Sequence, residues 1–330
     1  MKVFCTGITD SETRSYLDKT IKLAELNDKK IKLYDTGELI PQFYEYYGIK
    51  RDMKNILNVD DNELAILVGS IYREIKHDMK NYENVLVKGH STFFWNKQFR
   101  HGTKWDYIES FDPKFFVTLI DSPKKIKEKL DKNEQWKNQQ LTLDEICLWQ
   151  NVEVINTEVP AEIKKKPSHI ITRDLSDTTL YKLMFHPELK TLYLSFPISH
   201  FKKDKKIEED INSLFNLANK YFVVTNPLGL GVDESANSKV QDEQVIFYCS
   251  RWSDKADITL QYIPSNEIFT HGVVSEGKES FQKTRETWMV FPSEKYGQFE
   301  KHFSFSKFKS IPELENYLKE NYKPVDIKRK

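Results

Sequence analysis

The chain has 330 residues, 39% of them hydrophobic and 13% aromatic, which is enough material for more than one hydrophobic core. Fifty basic residues balance fifty acidic ones, so the chain has no net field that would attract nucleic acid or an anionic membrane. No apolar run approaches the ~20 residues of a membrane span, and the start lacks a secretory signal pattern. We therefore expect a two-domain cytoplasmic protein whose partner is a small molecule.

The first half alternates short apolar runs with helical patterns, which indicates parallel strands joined by crossover helices. The predicted strands are Lys2–Gly7, Ile31–Asp35, Asn84–Gly89, Phe115–Asp121 and Ser168–Arg173. One predicted helix has an apolar face at spacings of three and four residues, formed by Leu64, Leu67, Ile71 and Ile75. Further helices are predicted after Asp10, from Lys124 to about Lys132, and over Leu141–Trp149.

The proline-containing stretch Phe185–Lys190 has no periodicity and is the predicted domain boundary, giving domains of residues 1–187 and 188–330. The second series of predicted strands is Thr191–Ile198, Tyr221–Pro227, Ala256–Pro264 and Glu286–Pro292. Helices are predicted before the second strand, from about Ser275, and over Ile311–Tyr322. The predicted fold class is α/β, with two doubly wound parallel-sheet domains.

The three cysteines, Cys5, Cys147 and Cys249, are odd in number, widely spaced and embedded in apolar runs. This spacing fits neither a disulfide framework nor a set of metal ligands. We expect buried thiols, and no metal or cofactor.

The segment Gly7–Arg14 occupies the place of a phosphate-binding loop between the first strand and the first helix. Such a loop needs a second glycine, a lysine and a hydroxyl residue, because backbone N–H groups wrap the phosphates, the lysine reaches them and the hydroxyl holds Mg²⁺. Glu12, Thr13 and Arg14 occupy those three positions. Negative charge and a Cβ at position 12 oppose phosphate binding, so kinase activity is not expected.

Residues 1–185 nonetheless resemble the adenylate-kinase-type P-loop family of nucleoside monophosphate kinases. The resemblance depends on KVFCTG, VLVKGHSTFFW, FDPKFFVTLIDSP and IKLYDTGELI, with Gly37 and Glu38 at the family's monophosphate-side helix. Lys88 and His90 replace the expected acidic Mg²⁺ ligand, and LTLDEICLWQ offers no arginine to clamp a phosphate. The resemblance implies either a pseudokinase scaffold or a domain that still binds a nucleotide.

Two histidines and four aromatic residues in this half are candidates for a pocket: His90, His101, Phe93, Phe94, Trp95 and Trp105. The alternative is that these side chains are ordinary packed structure.

The C-terminal half resembles the nucleoside 2-deoxyribosyltransferase family over about 140 residues. The resemblance depends on the order and spacing of YLSFPIS, TNPLGLG and SDKADITLQYIPSNEIFTHGVVSEG, followed by the strand TWMVF. It implies a Rossmann-like domain whose first strand ends in a loop that cups a nucleoside. It also implies sites completed by a neighbouring subunit, so we expect a homo-oligomer, at least a dimer through this domain.

The resemblance implies a glycosidic-bond site with Glu276 as the nucleophile. Displacing a base from C1′ passes through an oxocarbenium-like state, which a nearby carboxylate can stabilise or capture. Glu276 is predicted to open a helix, whose dipole would keep it ionised. Asp257 or Asp254 is the candidate acid for the departing base, and Tyr193 is expected to hydrogen-bond the nucleophile. The candidate substrate-binding residues are Ser195, Phe196, Pro197, Asn226 and Gly272.

Each of these assignments has an alternative. Glu276 can be a helix-opening charge, and Asp257 can be a turn residue. The spacing between Gly272 and Glu276 is longer than the family's, and the following helix is more charged.

The first functional hypothesis, which follows the family resemblance, is cleavage or transfer of the N-glycosidic bond of a nucleoside, nucleotide or NAD-like molecule. The second is a non-catalytic nucleotide sensor or interaction module built from two degenerate enzyme domains.

Overall fold

The computed structural model describes residues 1–50, 52–201, 203–231, 239–265, 268, 270–292 and 302–329. The chain forms two compact units, Met1–Asp174 and Leu175–Lys330. Among the described residues, no helix combines the length and apolar content needed to cross a membrane. The same residues contain no group of three or more His, Cys, Asp or Glu side chains arranged to hold a metal ion.

The first unit is built on a five-stranded parallel sheet and a separate hairpin. Its strands are β1 (Lys2–Thr6), β2 (Lys32–Asp35), β3 (Val85–Lys88), β4 (Thr92–Trp95), β5 (Gln98–His101), β6 (Phe115–Ile120) and β7 (Ser168–Thr172). The sheet order is β2-β3-β1-β6-β7, with every neighbouring pair parallel, and β4 pairs with β5. All five strands predicted for this half are confirmed. All six residues of β6 are buried, as expected for a strand covered on both faces.

Where the structure describes this unit, six α-helices connect the strands: α1 (Thr13–Leu26), α2 (Thr36–Tyr46), α3 (Asp61–Asp78), α4 (Trp105–Phe111), α5 (Pro123–Leu130) and α6 (Leu143–Ile163). The apolar face predicted for α3 is confirmed, because its four marker residues are all buried in the core. Helix α6 continues well past the predicted end at Trp149.

The β4–β5 hairpin was not predicted. Its turn residues Asn96 and Lys97 both have positive φ, 49° and 59°, as a two-residue type I′ turn requires.

The second unit contains another five-stranded parallel sheet. Its strands are β8 (Thr191–Ser195), β9 (Val223–Thr225), β10 (Ile258–Tyr262), β11 (Glu286–Val290) and β12 (Ser306–Phe308). The helices among its described residues are α7 (Thr178–Phe185), α8 (Ile198–Phe201), α9 (Lys205–Ala218), α10 (Lys239–Lys255), α11 (His271–Gln282) and α12 (Ile311–Asn321). The sheet order is β9-β8-β10-β11-β12, which is the doubly wound order 2-1-3-4-5. The predicted α/β class with two parallel-sheet domains is therefore confirmed.

Helix α7 belongs to the second unit, although the sequence placed the boundary after it. The helix packs against β9, and Lys182, which is 1% exposed, donates from Nζ to the carbonyl of Phe222 at 2.9 Å and to the side chain of Asn219 at 2.8 Å. These bonds fix α7 to the C-terminal sheet. The division therefore falls between residues 174 and 175 rather than between 187 and 188.

Candidate active site

The strand order of the second unit puts its topological switch point at the carboxyl ends of β8 and β10. From β8 the chain crosses first to β9 on one side and then to β10 on the other, so the connections diverge at this point. In open α/β sheets, ligands bind at such a switch point. Ser195, the last residue of β8, is paired in register with Gln261 of β10, and helix α11 packs over β10.

Glu276 of α11 is brought to this edge and held there by several contacts. Its Oε2 accepts a hydrogen bond from the Ser195 hydroxyl. The Tyr193 hydroxyl and the Cys249 thiol also hydrogen-bond with the Glu276 side chain. The Ser253 hydroxyl donates to the Glu276 backbone carbonyl at 2.9 Å and so fixes the helix at this residue. The expected contact between Tyr193 and the candidate nucleophile is therefore present.

The surroundings of Glu276 alter its acidity. Removal of solvent by the surrounding protein raises its pKa to about 7, and the hydrogen bonds from Ser195, Tyr193 and Cys249 oppose this rise. Burial raises the pKa of Tyr193 well above its ordinary value, so this residue stays protonated as a hydrogen-bond donor. The site thus combines a carboxyl group that titrates near neutrality with neutral donors.

One part of the predicted geometry of Glu276 is wrong. Helix α11 begins at His271 and carries no acidic residue in its first turn, so Glu276 lies in the second turn rather than at the helix opening. The dipole effect falls off within the first turn. Ionisation of Glu276 therefore depends on the three hydrogen bonds and not on the helix end, and the simple cap alternative is equally excluded.

Asp257 does not lie beside Glu276. It precedes β10 at the amino edge of the sheet, about four strand residues, or roughly 13 Å, from the edge where Ser195 lies. Its Oδ2 accepts hydrogen bonds at 2.8 Å from the backbone N–H and the hydroxyl of Thr191. Asp257 ties together the starts of β8 and β10, which is the turn role left open by the sequence. The expectation that it protonates the departing base is corrected.

Asp254 is engaged elsewhere as well. Its side chain pairs with Lys283 Nζ at 2.6 Å, immediately after the end of α11 and about two turns from Glu276. This ion pair links the ends of α10 and α11. Neither aspartate is therefore positioned as the predicted acid.

Three of the predicted substrate-binding residues lie in the loops that follow β8 and β9. Phe196 is buried and its ring centroid lies 5.8 Å from that of Phe201, so it contributes to the core. Pro197, the next residue, is also buried. Asn226 follows β9, and its Oδ1 accepts a hydrogen bond from the backbone N–H of Leu228 at 3.0 Å. These residues fix the loops after β8 and β9.

Gly272, the remaining substrate-binding candidate, is exposed in the first turn of α11, and a Cβ there would meet no atom within 4 Å. Residues 266, 267 and 269 of the predicted signature stretch lie outside the described residues.

Sequence reasoning missed Cys249, Gln261 and Gly277. Cys249 was expected only as a buried thiol; all three cysteines are indeed buried, but this one touches Glu276. Gln261 is 1% exposed and donates from Nε2 to the carbonyl of Val273 at 2.6 Å. Its amide lies against Gly277, where a Cβ would come within 2.3 Å. A glycine inside a helical pattern, directly after the candidate nucleophile, was the available signal of close packing.

In the first unit, the segment that replaces a phosphate loop is closed by its own side chains. The Ser11 hydroxyl donates to a loop carbonyl at 2.7 Å and lies 2.9 Å from that of Thr13; both residues are buried. A Cβ on Gly7 would come within 2.3 Å of the Thr13 hydroxyl. Glu12 has a positive φ of 57° and pairs with Lys129 Nζ at 2.7 Å. The concave surface that would cradle phosphate is thus occupied.

The basic side chains beside this loop are already paired. Arg14 contacts Asp18 at 2.9 Å and Glu38 at 2.6 Å. Lys88, at the end of β3, contacts Asp35 at 3.0 Å. These ion pairs neutralise two cations beside the loop.

Two of the six residues considered as a pocket come together. The ring centroids of His90 and Phe93 lie 4.7 Å apart, and both residues line a cavity. The lining of this cavity does not include the other four, which are Phe94, Trp95, His101 and Trp105.

Comparison with known proteins bears on the first unit. The family model of the AAA domain matches residues 18–147, beginning just after the altered phosphate loop. No curated protein matches the chain. The match and the sheet together identify the N-terminal unit as a P-loop-kinase-like α/β domain.

Proposed function

We propose that the C-terminal unit cleaves or transfers the N-glycosidic bond of a nucleoside, nucleotide or NAD-like molecule. The observation that carries this proposal is the Glu276 carboxyl group, held by Ser195, Tyr193 and Cys249 at the switch point of a parallel sheet. The resemblance of this half to the nucleoside 2-deoxyribosyltransferase family points to the same residue. The P-loop-kinase-like class of the N-terminal domain agrees with a nucleotide-type ligand.

The reaction follows the retaining pattern of glycoside cleavage. Ionised Glu276 attacks C1′ as the C1′–N bond breaks, and the base leaves with the electron pair and takes up a proton from solvent. Water or a second base then attacks C1′ and displaces the carboxylate. Ser195, Tyr193 and Cys249 stabilise Glu276 in its ionised form and fix the oxygen that faces the sugar. In this scheme, no aspartate need share the chemistry.

The N-terminal unit is proposed as a scaffold that does not transfer phosphate. Its loop is filled by Ser11 and Thr13, and Glu12 brings negative charge to the position of the second glycine. The filled loop also favours a non-catalytic sensor or interaction role for the N-terminal unit, but not for the C-terminal unit. It has no bearing on Glu276, which lies in the other unit.

A panel of nucleosides, nucleotides and NAD tests the proposal directly. We expect free base to accumulate from at least one class, as followed by chromatography. A thermal-shift series with the same compounds identifies a sensor, because a ligand that binds without being consumed stabilises the protein. Stabilisation without base release from any compound would refute the enzymatic proposal.

The pH dependence should identify the role of Glu276. A nucleophile must be ionised, and its pKa is raised to about 7, so kcat/KM for base release should rise through that pH and level off above it. Ser195→Ala removes a hydrogen bond that favours the ionised form. The midpoint of this variant should therefore move to higher pH.

Two other results of the pH measurement would contradict the role of Glu276 as the nucleophile. If Glu276 were a proton donor, kcat/KM would fall through the same range. A midpoint that Ser195→Ala leaves unchanged would show that another group controls the profile.

A further inference from the structure

Helix α6 of the N-terminal unit carries an exposed apolar stripe along its outward side. Four large apolar side chains of this helix are 40–64% exposed, and a fifth lies between them and is half-buried. Among the described residues, no other helix exposes more than one large apolar side chain. The stripe, called the α6 stripe below, consists of Leu148, Val152, Ile155, Val159 and Ile163.

The α6 stripe is continuous and free of charge. Its spacings of four, three, four and four residues put all its side chains on one side of the helix. Every exposed side chain between residues 146 and 161 belongs to the stripe, and the two carboxylates in this range, Glu153 and Glu158, are buried. Charged residues make up 30% of the whole chain, so a charge-free surface of this length stands out. A contiguous exposed apolar surface is typical of an interaction site.

The two ends of the stripe carry opposite charges. Asp144 is exposed in the first turn of α6. Lys165 is exposed just after the helix end and makes no ion pair with a described residue, whereas its neighbours Lys164 and Lys166 each pair with a carboxylate of the same unit. The helix thus offers an acidic group at one end of the stripe and an unpaired basic group at the other.

This distribution of charge makes the stripe complementary to itself. In an antiparallel pair of α6 helices, the first turn of each helix lies beside the last turn of the other. An axis near Ile155 brings Leu148 of each copy close to Ile163 of the other, and it brings Asp144 close to Lys165. A parallel pair would instead put like charges together. Self-complementarity under a two-fold axis is what an isologous contact between identical chains requires.

A membrane surface fits the α6 stripe less well. Helices that lie on an anionic membrane carry Lys or Arg beside their apolar face. The residues that border the stripe are Asp144, Asn151, Asn156 and Glu162, which are acidic or uncharged. The charges therefore favour a second copy of the chain over lipid.

We propose that two copies of this chain associate through their α6 stripes, packed antiparallel about a two-fold axis near Ile155. Helix α6 has 21 residues, so its outward side is ~30 Å long and ~10 Å wide, which gives roughly 300 Å² per partner. Standard interfaces bury ~800 Å² per partner, so this contact is small and the association is reversible, with a micromolar dissociation constant. The contact involves only the N-terminal unit. It is independent of the glycosidic reaction and separate from the dimer expected through the C-terminal domain.

Sedimentation equilibrium of the whole protein tests the contact over about 1 to 100 μM, a range that brackets a micromolar dissociation constant. The average mass of the parent should double as its concentration rises. Ile155→Glu places like charges at the axis and should hold the mass at half of the parent's limiting value. Ile66 on α3 is 68% exposed, so Ile66→Glu is the matched control and should behave like the parent. A parent mass that Ile155→Glu leaves unchanged, or an equal loss from Ile66→Glu, would overturn the proposal.

Charge reversal at the ends of α6 tests the antiparallel arrangement and does not depend on the folding of Ile155→Glu. Asp144→Lys or Lys165→Asp alone puts like charges together at both ends of the pair and should weaken self-association roughly fivefold. In an equimolar mixture of the two variants, each altered end meets an opposite charge, so association should return to the parent's level. Lys165 has a φ of 53°, which aspartate tolerates. Single variants that associate like the parent, or a mixture that associates no better than either variant, would contradict the proposed pairing.

Discussion

Glu276→Gln is expected to abolish base release while the protein stays folded. The substitution keeps the size of the side chain and its capacity to accept a hydrogen bond from Ser195, but it removes the charge that stabilises the oxocarbenium-like state. Loss of a nucleophile costs at least ~10³-fold in kcat. Because burial raises the pKa of Glu276 to about 7, the neutral amide also relieves the cost of a buried charge above that pH. The thermal midpoint should therefore not fall.

Glu279→Gln is the matched control for this variant. Glu279 lies one turn further along α11, is 38% exposed in its side chain, and pairs with Lys283 at 3.3 Å. An exposed pair of this kind contributes ~0–1 kcal/mol, so the rate should stay within about twofold of the parent. If Glu276→Gln releases base as fast as Glu279→Gln, Glu276 is a half-buried structural carboxyl group and the enzymatic proposal fails.

The sequence predicted most strands, because buried parallel strands are continuous apolar runs bounded by turn residues. It was less successful with helices whose apolar stripe is weak. Helix α10 was not predicted. Because Cys249 lies on this helix, its contact with Glu276 was not predicted either. Strand β12 was also missed, because three residues, Ser306–Phe308, with one buried side chain give little periodic signal.

The candidate site shows a similar division. Local pattern and family resemblance proposed Glu276, Tyr193 and Ser195 as candidates, and the structure brings these three residues together. They misplaced Asp257 and Asp254, because position along the chain does not tell which edge of the sheet a residue occupies. Parallel strands put Asp257 at the amino edge and Ser195 at the carboxyl edge. Only the register of β8 with β10 separates the two.

Gly277→Ala should destabilise the C-terminal unit and slow base release, although alanine is the better helix former. A Cβ at this position would lie 2.3–2.4 Å from three atoms of the Gln261 amide, which is 1% exposed and bonded to Val273. Either the amide loses this bond or α11 moves away from β10 and carries Glu276 with it. Overpacking of this kind costs ~1–3 kcal/mol, and a displacement of ~1 Å at a reacting group can cost ~10²-fold in rate. Chemical denaturation and initial rates of base release measure the two effects.

Gly272→Ala is the matched control for Gly277→Ala, because the two substitutions should change the free energy of unfolding in opposite directions. Gly272 lies on the same helix, where a Cβ would meet nothing within 4 Å, so alanine should gain ~0.5–1 kcal/mol from helix propensity alone. Gly277→Ala should change stability in the opposite direction, and Gln261→Ser should recover much of the loss by removing the obstructing amide. Equal gains from both alanine substitutions would mean that Gln261 can move freely. In that event, the close approach of α11 to β10 would not be what positions Glu276.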